Sequence, residues 1–144
     1  MHHRKIIPIL SALLVGSQVL AQEDSGEVQI PCTVEPVYHC AESTGDGSYI
    51  AHFGYRTFCP ESDKPIEDVF IDIGEENYFS PGPVDRGQTK VFVPGEHVDD
   101  FEVEFTADEL ETNKNFGWTV LKIRIPVDFS RSKDNSLDCT NLPY

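Results

Sequence analysis

The sequence predicts an all-β fold, an antiparallel β-sandwich of about seven to eight strands held by disulfides. Three observations carry that prediction. Apolar residues recur at every second position in several segments, Gly, Pro and Asp-Gly turn signals separate those segments, and four cysteines follow an apolar leader.

The leader comes first. Met1 to Ala21 reads as a secretory signal peptide, with a basic start at His2, His3, Arg4 and Lys5, an apolar run from Ile6 to Leu14, and Val19-Leu20-Ala21 before the expected cut. An uncleaved membrane anchor fits less well, because the apolar run is well short of the roughly 18–20 residues that span a bilayer. Residues 22–26 form a short acidic tail. Residues 27–144 hold no linker and no internal repeat, so they are read as a single domain, long enough for a core of its own.

The strands follow in order. Tyr49, Ala51, Phe53 and Tyr55 alternate with Ser48, Ile50, His52 and Gly54, which puts His52 on the outward face. Thr44-Gly45-Asp46-Gly47-Ser48 in front of them is a hairpin turn, since Asp-Gly tolerates the positive φ that tight hairpins need. Ile66 to Ile73 reads as a strand with Val69, Ile71 and Ile73 on one face, and Gly74 closes it. Ser80-Pro81-Gly82-Pro83 and Val93-Pro94-Gly95-Glu96 are further turns. Phe101, Val103 and Phe105 alternate with Glu102 and Glu104. Thr106 to Asn115 offers the one helical turn, with Thr106 as its cap. Trp118 to Ile125 reads as the last strand, Trp118 and Val120 on one face and Thr119, Leu121, Ile123 and Ile125 on the other. The nine Phe, five Tyr and one Trp supply the core.

An even number of cysteines behind a leader predicts two disulfides in an oxidising compartment. If the first hairpin centres on Asp46, Cys32 and Cys59 face each other, and Cys40 is left for Cys139. Pro31 and Pro36 bear on that register, so the other two connectivities stay open. Zinc is the rival use of these sulfurs, but no C-x2-C pair occurs, and His39, His52 and His97 are scattered along the chain.

The whole chain carries 11 Lys+Arg and 25 Asp+Glu, a net charge of −14. Loss of the leader would leave nine basic residues against 25 acids, a net −16. Such a surface excludes nucleic acid and electrostatic docking to anionic lipid. No second apolar segment is long enough to span a membrane, and no N-glycosylation sequon is present.

The block from Cys40 to Leu121 resembles an immunoglobulin-like β-sandwich module of secreted and cell-surface multidomain proteins. The matching residues are Gly45-Asp46-Gly47-Ser48-Tyr49, Ala51-His52-Phe53-Gly54-Tyr55, Ile71-Asp72-Ile73-Gly74, Asn77 to Pro83, Asp85-Arg86-Gly87-Gln88, Phe92 to Gly95 and Phe101 to Phe105, with Trp118 near the end. The resemblance implies an immunoglobulin-like sandwich and no catalytic activity. The chain departs from the module in an insertion from Arg56 to Pro65 that carries Cys59, in Thr89 where a proline is usual, in Cys32 and Cys139 outside the block, and in being a single copy with its own leader.

Asp85-Arg86-Gly87-Gln88 is the most function-like group, a carboxylate, a guanidinium and an amide suited to polar recognition. A loop-pinning role is the favoured reading, with Arg86 held by Asp85 or by an acid near Asp99 and Gly87 supplying a special backbone angle. Two acid clusters invite calcium: Asp72, Glu75, Glu76 and Asn77, and Asp99, Asp100, Glu102 and Glu104. Neither has the EF-hand spacing, and Glu102 and Glu104 share one strand face and read as its wet side. No G-x-S-x-G, H-E-x-x-H or phosphate loop is present. Tyr49, Tyr55, Tyr78 and Trp118 read as core rather than a sugar platform. The sequence therefore predicts no metal, no cofactor and no catalysis. Its leading functional expectation is a secreted module, extracellular or wall-associated, for binding or adhesion to an extracellular protein or cell-wall polysaccharide. The alternatives are a secreted carboxylate-dependent hydrolase and a secreted effector or inhibitor of a foreign protein.

Overall fold

A computed structural model describes residues 32–61, 65–129 and 139. The chain runs β1 (Thr33–Ser43), β2 (Tyr49–Phe58), β3 (Val69–Phe70), β4 (Asn77–Ser80), β5 (Val91–Phe92), β6 (Glu96–Phe105), α1 (Ala107–Thr112), β7 (Gly117–Val120) and β8 (Ile123–Pro126). All pairings are antiparallel, in three sheets ordered β1-β2-β6, β3-β5 and β4-β7-β8. The leader expected at 1–21, the acidic tail at 22–26 and the stretches 27–31, 62–64, 130–138 and 140–144 of the expected domain lie outside the described residues. No described helix is long and apolar enough to cross a membrane.

The first hairpin turns where Asp-Gly predicts. Gly45 and Gly47 take φ of 90° and 93°, and Asp46 accepts from the Thr44 hydroxyl and from Ser48 N. Those bonds, the Thr44 hydroxyl first, hold its carboxyl below the usual range. Ser43 lies opposite Tyr49 and Cys40 opposite His52. A bulge at His39 then shifts the register, and Thr33 lies opposite Phe58. Cys32 and Cys59 are the next pair outward, and they are bonded. Cys40 is bonded to Cys139.

β2 is the middle strand of its sheet, and it is buried on both faces. Ala51, Phe53 and Tyr55 fill the core side. His52, expected outward, is only 8% exposed. The alternation in the sequence is real, but the Cys40–Cys139 bridge and the acids of β6 cover the second face. β6 bulges where it passes Gly54, so that Phe53 faces Phe101 and Tyr55 faces His97. Gly54 is required there, because a Cβ would collide with the His97 carbonyl oxygen.

Two other elements differ from expectation. The strand expected over Ile66 to Ile73 contracts to Val69–Phe70. Ile71 N still bonds Lys90 O at 2.9 Å, but the Asp72 side chain then accepts from Ile73 N and bends the chain out of the ladder. The run from Trp118 to Ile125 is not one strand but a hairpin. Leu121 and Lys122 take φ of 46° and 72°, and Trp118 lies opposite Ile125 and Val120 opposite Ile123. Two successive residues at positive φ match the right-handed twist of the flanking strands, even without the usual Asn-Gly.

The helix forms where expected. Thr106 caps it, and Glu109 closes a reciprocal capping box. The two three-stranded sheets meet across aromatic rings. Phe53 stands edge-on to Phe79 and Trp118, and Phe101 meets Trp118 edge-on at 4.8 Å. Trp118 itself is fully buried.

Candidate functional site

The loop after β4 holds the tetrad. Asp85 Oδ1 accepts from Gly87 N at 2.9 Å, and Gly87 takes the φ of 80° that this tight loop requires. Gln88 is buried. Its Oε1 accepts from Arg86 N at 2.8 Å, and its Nε2 donates to Val84 O at 3.0 Å. Arg86 leaves the loop and reaches α1, where Nη2 donates to Glu109 Oε1 at 2.7 Å. Its side chain is 6% exposed, and its guanidinium lies over Phe105 at 4.7 Å and Phe116 at 5.1 Å. The expected partners were Asp85 or an acid near Asp99. Glu109 takes the role because the helix brings its first turn to the loop, whereas Asp85 is engaged by Gly87. The Arg86 bond, first among several, holds the Glu109 carboxyl below its usual range. Arg86, Gly87 and Gln88 are thus engaged within the fold, and only Asp85 has a largely exposed carboxylate.

The acid clusters separate on folding. Asn77 leaves the first one altogether. It is fully buried, donating Nδ2 to Ile71 O and Thr89 O and accepting from the Trp118 indole. Asp72 lies 3.6 Å from Lys90 Nζ. In the second cluster, Asp99 and Glu102 turn to His52. The bulge in β6 puts Asp99 at φ 54° and aims its Oδ1 at His52 Nδ1, 2.7 Å away, with Glu102 Oε1 at 3.7 Å. Burial raises the neighbouring Asp100 carboxyl above its usual range.

Two of the described histidines, His39 and His52, come together in space although they are apart in sequence. His39, on the bulge of β1, shares its surroundings with His52, Asp99, Arg56 and Glu96, and burial lowers its pKa against the opposing pull of Asp99. His97 lies on the other face, stacked on the Tyr55 ring at 4.6 Å. Among the described residues, two groups bring three ligand-type atoms within 4.8 Å of one another. One is His52, Asp99 and Glu102, and the other is Cys40, His52 and Cys139. Both contain His52, a residue that strand alternation assigned to solvent. Sequence reading missed this centre because it depends on which strand lies beside β2 and on where β6 bulges.

A third surface is apolar. Phe70 and Val91 are directly opposed on β3 and β5, 64% and 47% exposed, while Phe92 between Val91 and Val93 is fully buried. Val93 and Phe58 are exposed as well, and the Thr57 hydroxyl beside Phe58 bonds the Val93 carbonyl. The aromatics weighed as a sugar platform lie elsewhere. Tyr55 and Trp118 are in the core, and Tyr49 packs on Phe129 at 5.4 Å. No protein-family model, curated protein or solved structure matches the chain.

Proposed function

We propose that this chain is a secreted, disulfide-tied immunoglobulin-like β-sandwich that binds an extracellular protein or a cell-wall polysaccharide without chemistry of its own. The exposed Phe70–Val91 pair on the β3-β5 ribbon carries the reading. A large aromatic held outward on a paired strand is costly to leave in water, and contiguous exposed apolar surface marks contact sites. It lies in a chain of net charge −14, so the fitting partner offers an apolar recess rimmed by cationic or neutral polar groups. Two disulfides support an oxidising compartment. The structural use of Arg86 and Gln88 favours this face over the tetrad as the contact surface.

The test is retention of the purified protein on cell-wall polysaccharides and on surface-protein extracts, compared with a Phe70→Ser, Val91→Thr double variant. Wild type should be retained, and the variant should bind roughly tenfold or more weakly, the scale of one aromatic anchor. Both side chains are exposed, so its thermal unfolding should be unchanged. Equal retention of the two proteins would remove this face from the account. Turnover of an added polysaccharide, lost with Asp99→Asn, would support the hydrolase instead.

A further inference from the structure

The Cys40–Cys139 bridge lies against an imidazole with one satisfied nitrogen and one orphan. His52 Nδ1 meets Asp99 Oδ1, while Nε2 is buried with no hydrogen-bond partner, in a residue only 8% exposed. The two nitrogens of an imidazole point in widely divergent directions. A ring whose Nδ1 faces Asp99 on β6 therefore turns Nε2 toward β1, on the other side of β2. Cys40 stands there, directly opposite His52. A ring nitrogen of His52 and both sulfurs lie within 4.8 Å of one another, and all three residues are buried. A buried polar atom without a partner is unfavourable, and the hydrogen-bond groups of the oxidised fold leave this one bare.

We propose that reduction of Cys40–Cys139 converts this place into a zinc site, with the two thiolates and His52 Nε2 as ligands and water in the fourth position. Two thiolates and an imidazole suit zinc, and tetrahedral geometry with Zn–S near 2.3 Å sets the sulfurs about 3.8 Å apart. The Cα atoms of Cys40 and Cys139 are 5.7 Å apart, so side-chain rotation achieves this. Asp99 supplies the outer partner. By accepting from Nδ1–H it fixes the tautomer that leaves Nε2 bare, the carboxylate–histidine–zinc arrangement. The rival group His52–Asp99–Glu102 would need Nδ1, which Asp99 already holds.

The redox step balances with a dithiol as reductant. One of its thiolates attacks a sulfur of the bridge, and the other chain sulfur leaves as a thiolate. The second reductant thiol then closes on the mixed disulfide, so the reductant ends as a cyclic disulfide and the chain as two thiols. Zinc takes both sulfurs and displaces their two protons.

The experiment is a cobalt and zinc titration of the purified protein, oxidised and phosphine-reduced, under anaerobic conditions. The near-ultraviolet dichroism of Trp118 is followed in the same samples. The reduced protein should bind one cobalt with sulfur-to-metal charge-transfer absorption, lose it to zinc, and keep or regain the Trp118 signal. The oxidised protein should show no such band. Asp99→Asn should weaken zinc binding by about 10- to 100-fold, as loss of an outer partner does, and His52→Gln by at least that much. Cys40→Ser should abolish the band, whereas a Cys32→Ser, Cys59→Ser variant should keep it. A band that survives Cys40→Ser, or that His52→Gln leaves untouched, overturns the proposal. So does a reduced chain that stays unfolded after zinc is added. Thermal melting of oxidised His52→Gln checks that this variant folds.

Discussion

The indole Nε1 of Trp118 donates to Asn77 Oδ1 at 2.9 Å, and the same amide donates to the backbone carbonyls of Ile71 and Thr89. One fully buried amide thus joins the β4-β7 pair to the segments that leave β3 and enter β5. Around it the indole ring is enclosed by Phe53, Phe79, Phe92 and Phe101. In such a dry setting the polar bond and the packing act together.

Trp118→Ala should therefore cost about 3–5 kcal/mol, the scale for deleting a buried aromatic. Trp118→Phe keeps an aromatic ring but strands Asn77 Oδ1, and should still cost about 1–3 kcal/mol. A double-mutant cycle with Asn77→Ala, read by urea unfolding, should show coupling of at least about 0.5 kcal/mol. Strict additivity would mean that the indole bond contributes nothing.

Arg86→Lys should destabilise the fold by about 1.5–3 kcal/mol, the range for a hydrogen bond to a charged group. Lysine keeps the charge, but it cannot lie flat over Phe105 and Phe116 while bonding Glu109. A loss no larger than that of an exposed control such as Arg56→Lys would show that the guanidinium shape is irrelevant.

Glu109 ties the same contact to pH. Its folded carboxyl lies below the ordinary value of 4.5, through Arg86 first and the Thr106 backbone and hydroxyl after it. The unfolded chain therefore takes up the proton first. The stability that Glu109 contributes is complete above about pH 4.5, and it is lost as pH falls through the folded value. Unfolding free energy measured from pH 6 to pH 3 should fall less steeply in Glu109→Gln than in wild type. Parallel curves would remove Glu109 from the acid response.

Much of the local structure is legible in the chain because its causes are local. The Asp46 turn and the Thr106 cap depend on side chains bonding backbone within a few residues. The opposition of Cys32 and Cys59 needs the turn and also the one-residue shift at His39, which no local signal in the sequence announces. The hairpin at Leu121 and Lys122 is not legible, because neither residue has a special tolerance for positive φ, and the pairing of β7 with β8 imposes it. The centre at His52 is hidden for the same kind of reason. Period two places a side chain on a face, but neighbours decide whether that face is wet. Arg86 illustrates the point too, since its partner lies 23 residues away on a helix that docks only in the folded state.

The register of the first hairpin also directs the order in which the sulfurs find each other. Cys32, Cys40 and Cys59 are synthesised before Cys139, so an emerging chain has three thiols that can form one bridge in three ways. The β1-β2 ladder chooses it, placing Cys59 next to Cys32 while facing Cys40 with His52, which has no sulfur. A hairpin of this kind forms within microseconds, much faster than a thiol is oxidised, so Cys40 is held in reserve for a partner 99 residues away. Refolding quenched with an alkylating agent should trap the Cys32–Cys59 species first, with Cys40 and Cys139 both labelled. A dominant early Cys40–Cys59 species would show that oxidation outruns the ladder.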